Sequence, residues 1–407
     1  MAFFFSRDTK VFMTWSEDGT TANTALYEIP VLDGFSFSQA TNTSEVTLSE
    51  AANSTGYSKR GRAMFTDSFA PAEWSFSTYM RPTVSGANNA WTNGDHTGNA
   101  VTFAVEGPLW AAMSANTYDR AVNGGDFQSD ASVFDFANSN QVTLGVFDLY
   151  FVLGAAKDTN TEVYATGTEG VTVYKLANCS VGSASIDFDI EGIAQIAWSG
   201  NGQSVDEVAS INTAAAGLTA KGLIREGIDT TSNFIRQKLT DLTLVYDASE
   251  TTGSDLANSA LGNADVTYNM TLTGGNITIE NNLTYLTPET LGQVNLPLGH
   301  VMGTRSVSGN FTCYLNDVSD GSLDLFERLQ ESRSVITNAF NMTFGIGGSG
   351  NTPRCNVLVN KAHLELPSHS LDDVISVDVN FHGLPSDLSS GTAANATNEV
   401  KLTYVAS

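Results

Sequence analysis

Positive charge is scarce in this chain. Among 407 residues, 19 lysines and arginines stand against 44 aspartates and glutamates, a formal net charge of −25 at pH 7. Stable binding to DNA or RNA needs cations that displace the counterions around phosphates, so this balance argues against a nucleic-acid binder. The same sign argues against docking on an anionic membrane. It suits a surface that must not stick to a polyanion. Long apolar runs are also missing, and no stretch reaches the roughly 20 residues of a membrane-spanning helix. The start, Met1-Ala2-Phe3-Phe4-Phe5-Ser6-Arg7-Asp8, lacks a basic region followed by an apolar one, so no secretory leader is expected. Without a leader, the sequons at Asn276 and Asn282 carry no consequence. Cysteine is rare and odd in number. Cys179, Cys313 and Cys355 show no metal spacing and are expected as free thiols in a reducing cytoplasm.

Charged residues are only 15 % of the chain, against about 25 % in an average soluble domain. Serine, threonine, asparagine and glycine fill the gap, and with 22 Phe and 12 Tyr the composition is that of a mainly β protein. The length allows two to three domains, each able to bury a core.

The chain repeats itself. Leu32-Asp33-Gly34-Phe35-Ser36-Phe37 is answered by Thr273-Gly274-Gly275-Asn276-Ile277-Thr278. Glu73-Trp74-Ser75-Phe76-Ser77-Thr78-Tyr79-Met80 is answered by Ser308 to Leu315, and Ile193 to Gly200 by Ser376 to Gly383. Matching Gly34 with Gly275, Tyr79 with Tyr314 and Gly200 with Gly383 gives separations of 241, 235 and 183, which only shrink along the chain. That is the behaviour of two copies of one domain, the first carrying longer loops. The expected organisation is a first domain over 1–205, a linker over 206–236 and a second domain over 237–407.

Each copy is expected to run through two strands, a long polar loop, a strand ending at Tyr79 or Tyr314, a short helix and further strands. Pro108 starts one helix, and Ser322 begins the other with Leu323, Phe326 and Leu329 on one face. Late in each copy the alternation is plain. Ala184, Ile186, Phe188 and Ile190 oppose Ser185, Asp187, Asp189 and Glu191, while Ile375, Val377, Val379 and Phe381 oppose Ser376, Asp378 and Asn380. These are half-buried strands with an acidic wet face.

Motifs for chemistry do not hold up. Gly345-Ile346-Gly347-Gly348-Ser349-Gly350 fits a dinucleotide fingerprint, but Asn351-Thr352-Pro353 follows where a helix must begin, so a hairpin loop is expected. Asp317 to Asp324 lacks the ligand spacing of a calcium loop and reads as a turn before a helix. His363 and His369 flank Glu365, yet Leu366-Pro367 between them favours a strand end over a metal site. No catalytic residue, metal or cofactor is expected. Ser58-Lys59-Arg60-Gly61-Arg62 is a basic cluster in an acidic chain. It is either a solvated loop or a docking element, with Tyr57 and Phe65 as apolar anchors.

In these blocks the chain resembles the tail tube proteins of long-tailed bacteriophages, and more closely the duplicated type with two tube domains per chain. The resemblance rests on Ala72 to Tyr79, Asp189-Ile190-Glu191 through Trp198-Ser199-Gly200-Asn201-Gly202, Ile277 to Pro288, Cys313 to Asp317 and Leu384-Pro385-Ser386-Asp387. It covers residues 5–405, and the ordered set of blocks is more specific than any one of them. Some relatives add an immunoglobulin-like domain after the last strand, which is not expected here. The resemblance implies two tandem β-sandwich or barrel domains, each with a short flanking helix and a long loop. It also implies a structural, non-enzymatic virion protein, assembled in the host bacterial cytoplasm. Three chains would close a ring of pseudo-sixfold symmetry, and rings would stack into a tube that conducts double-stranded DNA and binds no membrane. The implied partners are other copies of the chain, a tape measure protein, a tail terminator and distal tail or baseplate proteins. On that reading Asp187, Asp189, Glu191, Glu365 and Asp378 line the lumen, and Tyr57, Lys59, Arg60, Arg62 and Phe65 meet the next ring. Rival readings are a β-rich receptor- or glycan-binding virion protein and a cytoplasmic hydrolase.

Overall fold

Alternating segments such as Ala72–Tyr79, whose odd and even positions differ in polarity, fold as strands with one buried and one wet face. The computed structural model is built almost wholly of them. It describes residues 4–15, 25–46, 63–85, 101–115, 132–137, 144–154, 163–165, 171–212, 219–222, 234–247, 265–287, 291, 296–331, 340–371, 374–387 and 393–406.

One sheet organises the molecule. Its strands, numbered in chain order, are β1 (Ser36–Ser38), β2 (Ala72–Tyr79), β3 (Thr172–Asp189), β4 (Gln195–Gly202), β5 (Leu272–Glu280), β6 (Ser306–Tyr314), β7 (Arg354–Leu364), β8 (Ser368–Leu371) and β9 (Ile375–Leu384). All pairings among them are antiparallel, in the order β1-β2-β4-β3-β5-β6-β9, with β7 and β8 both lying along β9. The sheet is open: β1 stands at one edge and β7–β8 at the other, and no closed barrel forms among the described residues.

Both long strands change partners midway. Val173–Ala177 of β3 pair with Phe147–Leu153 and Ser204–Val208 in an outer layer, and Ser180–Asp189 continue into the open sheet. Asn178, at φ 50°, and a register shift between Val181 and Ser183 mark the bend. In the second half, Arg354–Val359 of β7 pair with Phe340–Ile346 and Val400–Val405 before Lys361–Leu364 join β9. The wiring of the two halves is the same. Residues from 206 onward begin inside the strand Ser204–Val208, which holds the place that Val400–Val405 holds in the second half.

The pairings also give the register of the repeat. Ser36↔Ser75 corresponds to Thr278↔Ser308, and Thr41↔Phe69 to Leu283↔Met302. The bond from the Ala70 N–H to Ala40 O (2.9 Å) has its twin from the Gly303 N–H to Asn282 O (3.0 Å). Gly200 and Gly383 stay matched, but Gly34 falls on Asn276 rather than Gly275, and Tyr79 on Thr312 rather than Tyr314. Shared residue types misled there. A one-residue slip would turn Phe37 from the core to water, which the pleat forbids.

The apolar faces meet in one core that runs through both halves. Helix α1 (Gly107–Ser114), with proline in its first turn, is buried along its length. Trp110 sets its ring edge-on to Trp198, 4.6 Å between centroids, and donates from Nε1 to Tyr404 Oη (2.8 Å) on the last strand. Helix α2 (Ser322–Glu331) buries Leu329 of the expected face together with Leu325, while Leu323 and Phe326 are only half-buried, Phe326 packing edge-on against His369 (4.9 Å). Gly345–Gly350 lies at the expected hairpin between Phe340–Ile346 and β7, with Gly347 and Gly348 at positive φ. Before the last strand, Ala393–Ala396 makes a single helical turn.

A buried acid adds a pH dependence. Glu106, 1 % exposed at the head of α1, accepts weakly from the Arg81 N–H (3.3 and 3.4 Å). Burial pushes its carboxyl up to about 7, against the lowering effects of the Tyr404 hydroxyl, backbone donors and the Arg81 charge. A raised folded-state pKa stabilises fully below the unfolded value near 4.5 and stops doing so as pH rises through about 7. Glu106→Gln should therefore remove that slope. In urea melts at pH 8 the variant should be more stable than wild type by about 3 kcal/mol, with the gap closing by pH 4.5. Parallel pH profiles for the two proteins would refute the assignment.

Candidate functional site

The side of the open sheet turned away from the core is a continuous polar surface. Cross-strand register sets its residues in rows. One runs Ser77, Ala197, Ser185, Thr278, Ser308, His382, His363. The next runs Tyr79, Gln195, Asp187, Asn276, Asn310, Asn380. A third holds Asp189, Gly274, Thr312, Asp378 and Ser368. Neutral hydroxyls and amides dominate and bond to one another across strands: Ser36 with Ser75 (2.8 Å), Ser183 with Ser199 (2.8 Å), Ser185 with Thr278 (3.2 Å). Asn276 and Asn310 each accept from the other's backbone N–H at 3.2 Å. Such cross-strand pairs lock side chains flat and leave little to grip a ligand.

Four of the five acids expected on a wet face stand together on this surface. Asp187 and Asp189 are exposed on β3, Asp378 accepts from the Thr312 hydroxyl, and Glu365 follows β7. Glu191 is exposed in the turn between β3 and β4, at one end of the face. The Asn380 amide (2.9 Å) and then His382 (3.4 Å) donate to Glu365 and hold its carboxyl below the usual range. Glu73 and Glu280, which the sequence reading missed, also lie on this face. Their positions opposite polar residues in alternating strands were the available signal.

Of the candidate contact residues, Phe65 is described and 62 % exposed, on the hairpin Thr41–Val46/Ala63–Phe69 beside Met64. Tyr57, Lys59, Arg60 and Arg62 lie outside the described residues. The matching hairpin of the second half, Leu283–Leu286/Gly299–Met302, exposes Leu286, Leu298 and Val301. It also leans on the first half. Tyr285 Oη donates to Asn178 O (2.7 Å) and Asn201 O (3.2 Å), and Ser180 bonds His300 Nδ1 (3.0 Å).

Among the described residues no cluster of histidine, cysteine or carboxylate could hold a metal, and no helix is long and apolar enough to cross a membrane. His363 and His369 do not converge on a common site: His363 faces His382, and His369 packs on Phe326. The three cysteines are buried and free, with burial pushing each thiol up.

No protein-family model matches the chain. Among curated proteins, "Tail tube protein pb6" of Escherichia phage T5 is 28 % identical over 393 residues, covering 95 % of this chain and 73 % of that protein. Over nearly its whole length, then, this mainly β chain is a relative of a phage tail tube protein, in keeping with the resemblance seen in its repeated blocks.

Proposed function

We propose that the chain is the structural subunit of a phage tail tube, in which three copies close a ring and rings stack into a conduit for double-stranded DNA. The carrying observation is the β3·β5 junction, where seven paired positions from Ser183↔Glu280 to Asp189↔Gly274 join the sheets of the two halves. Similarity to a tail tube protein, 28 % identical over 95 % of the chain, supports the same role. On this reading residues 1–205 and 237–407 are two copies of one domain joined by 206–236, so a three-chain ring repeats the junction six times. Closure removes both sheet edges, which otherwise invite aggregation. Contacts that close within a ring stop lateral growth, while stacking face to face continues along the axis.

The polar face becomes the lumen wall. Asp187, Asp189, Glu191, Glu365 and Asp378 repel phosphates there, and the hydroxyls and amides between them carry no positive charge to hold DNA. Exposed Phe65, with Tyr57, Lys59, Arg60 and Arg62, meets the next ring. The protein acts as a virion component of a siphophage tail, assembled in the host cytoplasm with a tape measure protein, a terminator and distal tail proteins. It is not an enzyme.

Electron microscopy of the purified protein tests this directly. Hollow tubes whose reconstruction has three chains per ring are expected. Six chains per ring would overturn the ring composition, and a protein that never polymerises but binds a glycan would overturn the tube reading.

A further inference from the structure

The two halves differ most after their helices. Residues 115–146 separate α1 from the strand Phe147–Leu153, whereas only 332–339 separate α2 from the counterpart strand Phe340–Ile346. Part of the longer excursion crosses to the other half. Val133–Asp135 lie antiparallel along the last strand, with Val133↔Thr403, Phe134↔Leu402 and Asp135↔Lys401. We infer that residues 132–137 are a strap by which the first half holds Val400–Val405, so that the second half completes its outer layer only with residues of the first. The strap goes beyond the tube reading and holds whether or not the chain forms rings.

Backbone bonds fix the strap at both ends. The Tyr404 N–H donates to Ser132 O (2.8 Å), and the Phe136 N–H donates to Val400 O (3.3 Å). Phe134 and Phe136, two residues apart on one face of the strap, are both buried. Phe134 sets its ring edge-on to Tyr404 (6.0 Å between centroids), and Phe136 sets its ring edge-on to Trp110 (6.4 Å). Arg305 of the second half, its side chain only 3 % exposed, places its guanidinium 4.7 Å over the Phe136 ring and donates to Phe136 O (3.2 Å). The same nitrogen donates to Glu399 (3.2 Å), so the buried cation is neutralised within its own half while its planar face rests on the strap. Helix α1, at the start of the same excursion, is tied too: the buried Asn281 amide donates to Met113 O and Val181 O, each at 3.2 Å.

The first half treats the corresponding strand differently. Along Ser204–Val208 the Gln39 side chain accepts from the Val205 N–H (3.1 Å) and donates to Gln203 O (3.0 Å). A side chain of the same half thus takes up backbone groups that in the second half go to the strap. Matching Ser75 with Ser308 puts Ala72 in the place of Arg305. The cation that grips Phe136 is therefore particular to the second half. Adding a strand along an edge supplies main-chain bonds, while alternate side chains supply the specificity, here Phe134 and Phe136 inward and Asp135 to Lys401 outward (3.3 Å). It also covers an edge that would otherwise invite pairing with other chains.

Cutting the folded chain tests the strap. A protease site inserted between Glu226 and Gly227 allows the purified protein to be nicked between its halves. On dilution and gel filtration the two pieces should co-elute as one species. In the same nicked chain, Phe134→Ser with Phe136→Ser should weaken their association by on the order of a hundredfold or more, since two buried aromatics are lost. If that variant does not fold, a milder exchange decides. Asp135→Lys, at a partly exposed position opposite Lys401, should weaken association about threefold, and adding Lys401→Asp should restore it. Nicked wild-type pieces that separate, or folded strap variants that hold as tightly as the parent, overturn the inference, because the β3·β5 junction would then be the only tie between the halves that matters. Either result leaves the tube reading standing.

Discussion

Tubes built from an Asp187→Lys, Asp189→Lys chain should retain double-stranded DNA that wild-type tubes do not hold. Both carboxylates are exposed on the polar face, and the Asp187 side chain makes no bond the sheet relies on, its backbone O alone accepting from Gln237. Asp189 accepts only from the neighbouring Ile190 N–H, so the fold should survive the exchange. Two lysines per chain would place several cations at one level of a three-chain lumen, where each releases condensed counterions on meeting a phosphate. With about six contacts, affinity should fall by on the order of a thousandfold between 50 and 200 mM salt. Cosedimentation of tubes with labelled linear DNA across that range reads it out. If the reversed tubes release DNA at low salt as freely as wild type, the face does not meet DNA.

Gly309→Ala should cost about 3 kcal/mol or more and prevent assembly. An added Cβ at this position meets the backbone oxygen of Asn276 on β5 and the Phe381 ring at 2.8 Å on β9. The ring could yield, but the oxygen belongs to a strand held in register by its whole ladder. In the first half the corresponding position is Phe76, facing Trp198 across the strands. There one large residue meets another, whereas the second half uses an aromatic on one strand and glycine on the next. Overpacking a core usually costs about 1–3 kcal/mol, and backbone obstruction puts this case at the upper end or beyond. For a unit of roughly 150–250 residues each kcal/mol lowers Tm by about 2–4 °C, so calorimetry should show a drop of about 6–12 °C. Gly299→Ala is the control. A Cβ there meets nothing within 4 Å, and its Tm should stay near wild type.

Much of this architecture was legible before any coordinates. Ala184 to Glu191 announced a half-buried strand by alternation, and Asp187 and Asp189 do stand exposed on its wet side. The glycines from Gly345 to Gly350 announced a hairpin because no helix follows them, and a hairpin is there. The repeated blocks pointed to two halves of one plan, and their strands are wired alike. Less legible was how the blocks align. Matching Gly34 to Gly275 and Tyr79 to Tyr314 favoured like residues, while the sheet aligns by which side chains face the core.

Side-chain period and composition are local properties, so residues alone settled that this is a β protein with a wet, acid-bearing face, sparse in cations. Which strand lies beside which is a long-range matter, to which a strand's own alternation is silent. Only the folded chain joined Ser183–Asp189 to Gly274–Glu280, tied Trp110 of the first half to Tyr404 of the last strand, and left β1 and β7–β8 at opposite edges. Backbone hydrogen bonds accept almost any residue. The choice among partners therefore falls to the packing of a core that both halves share.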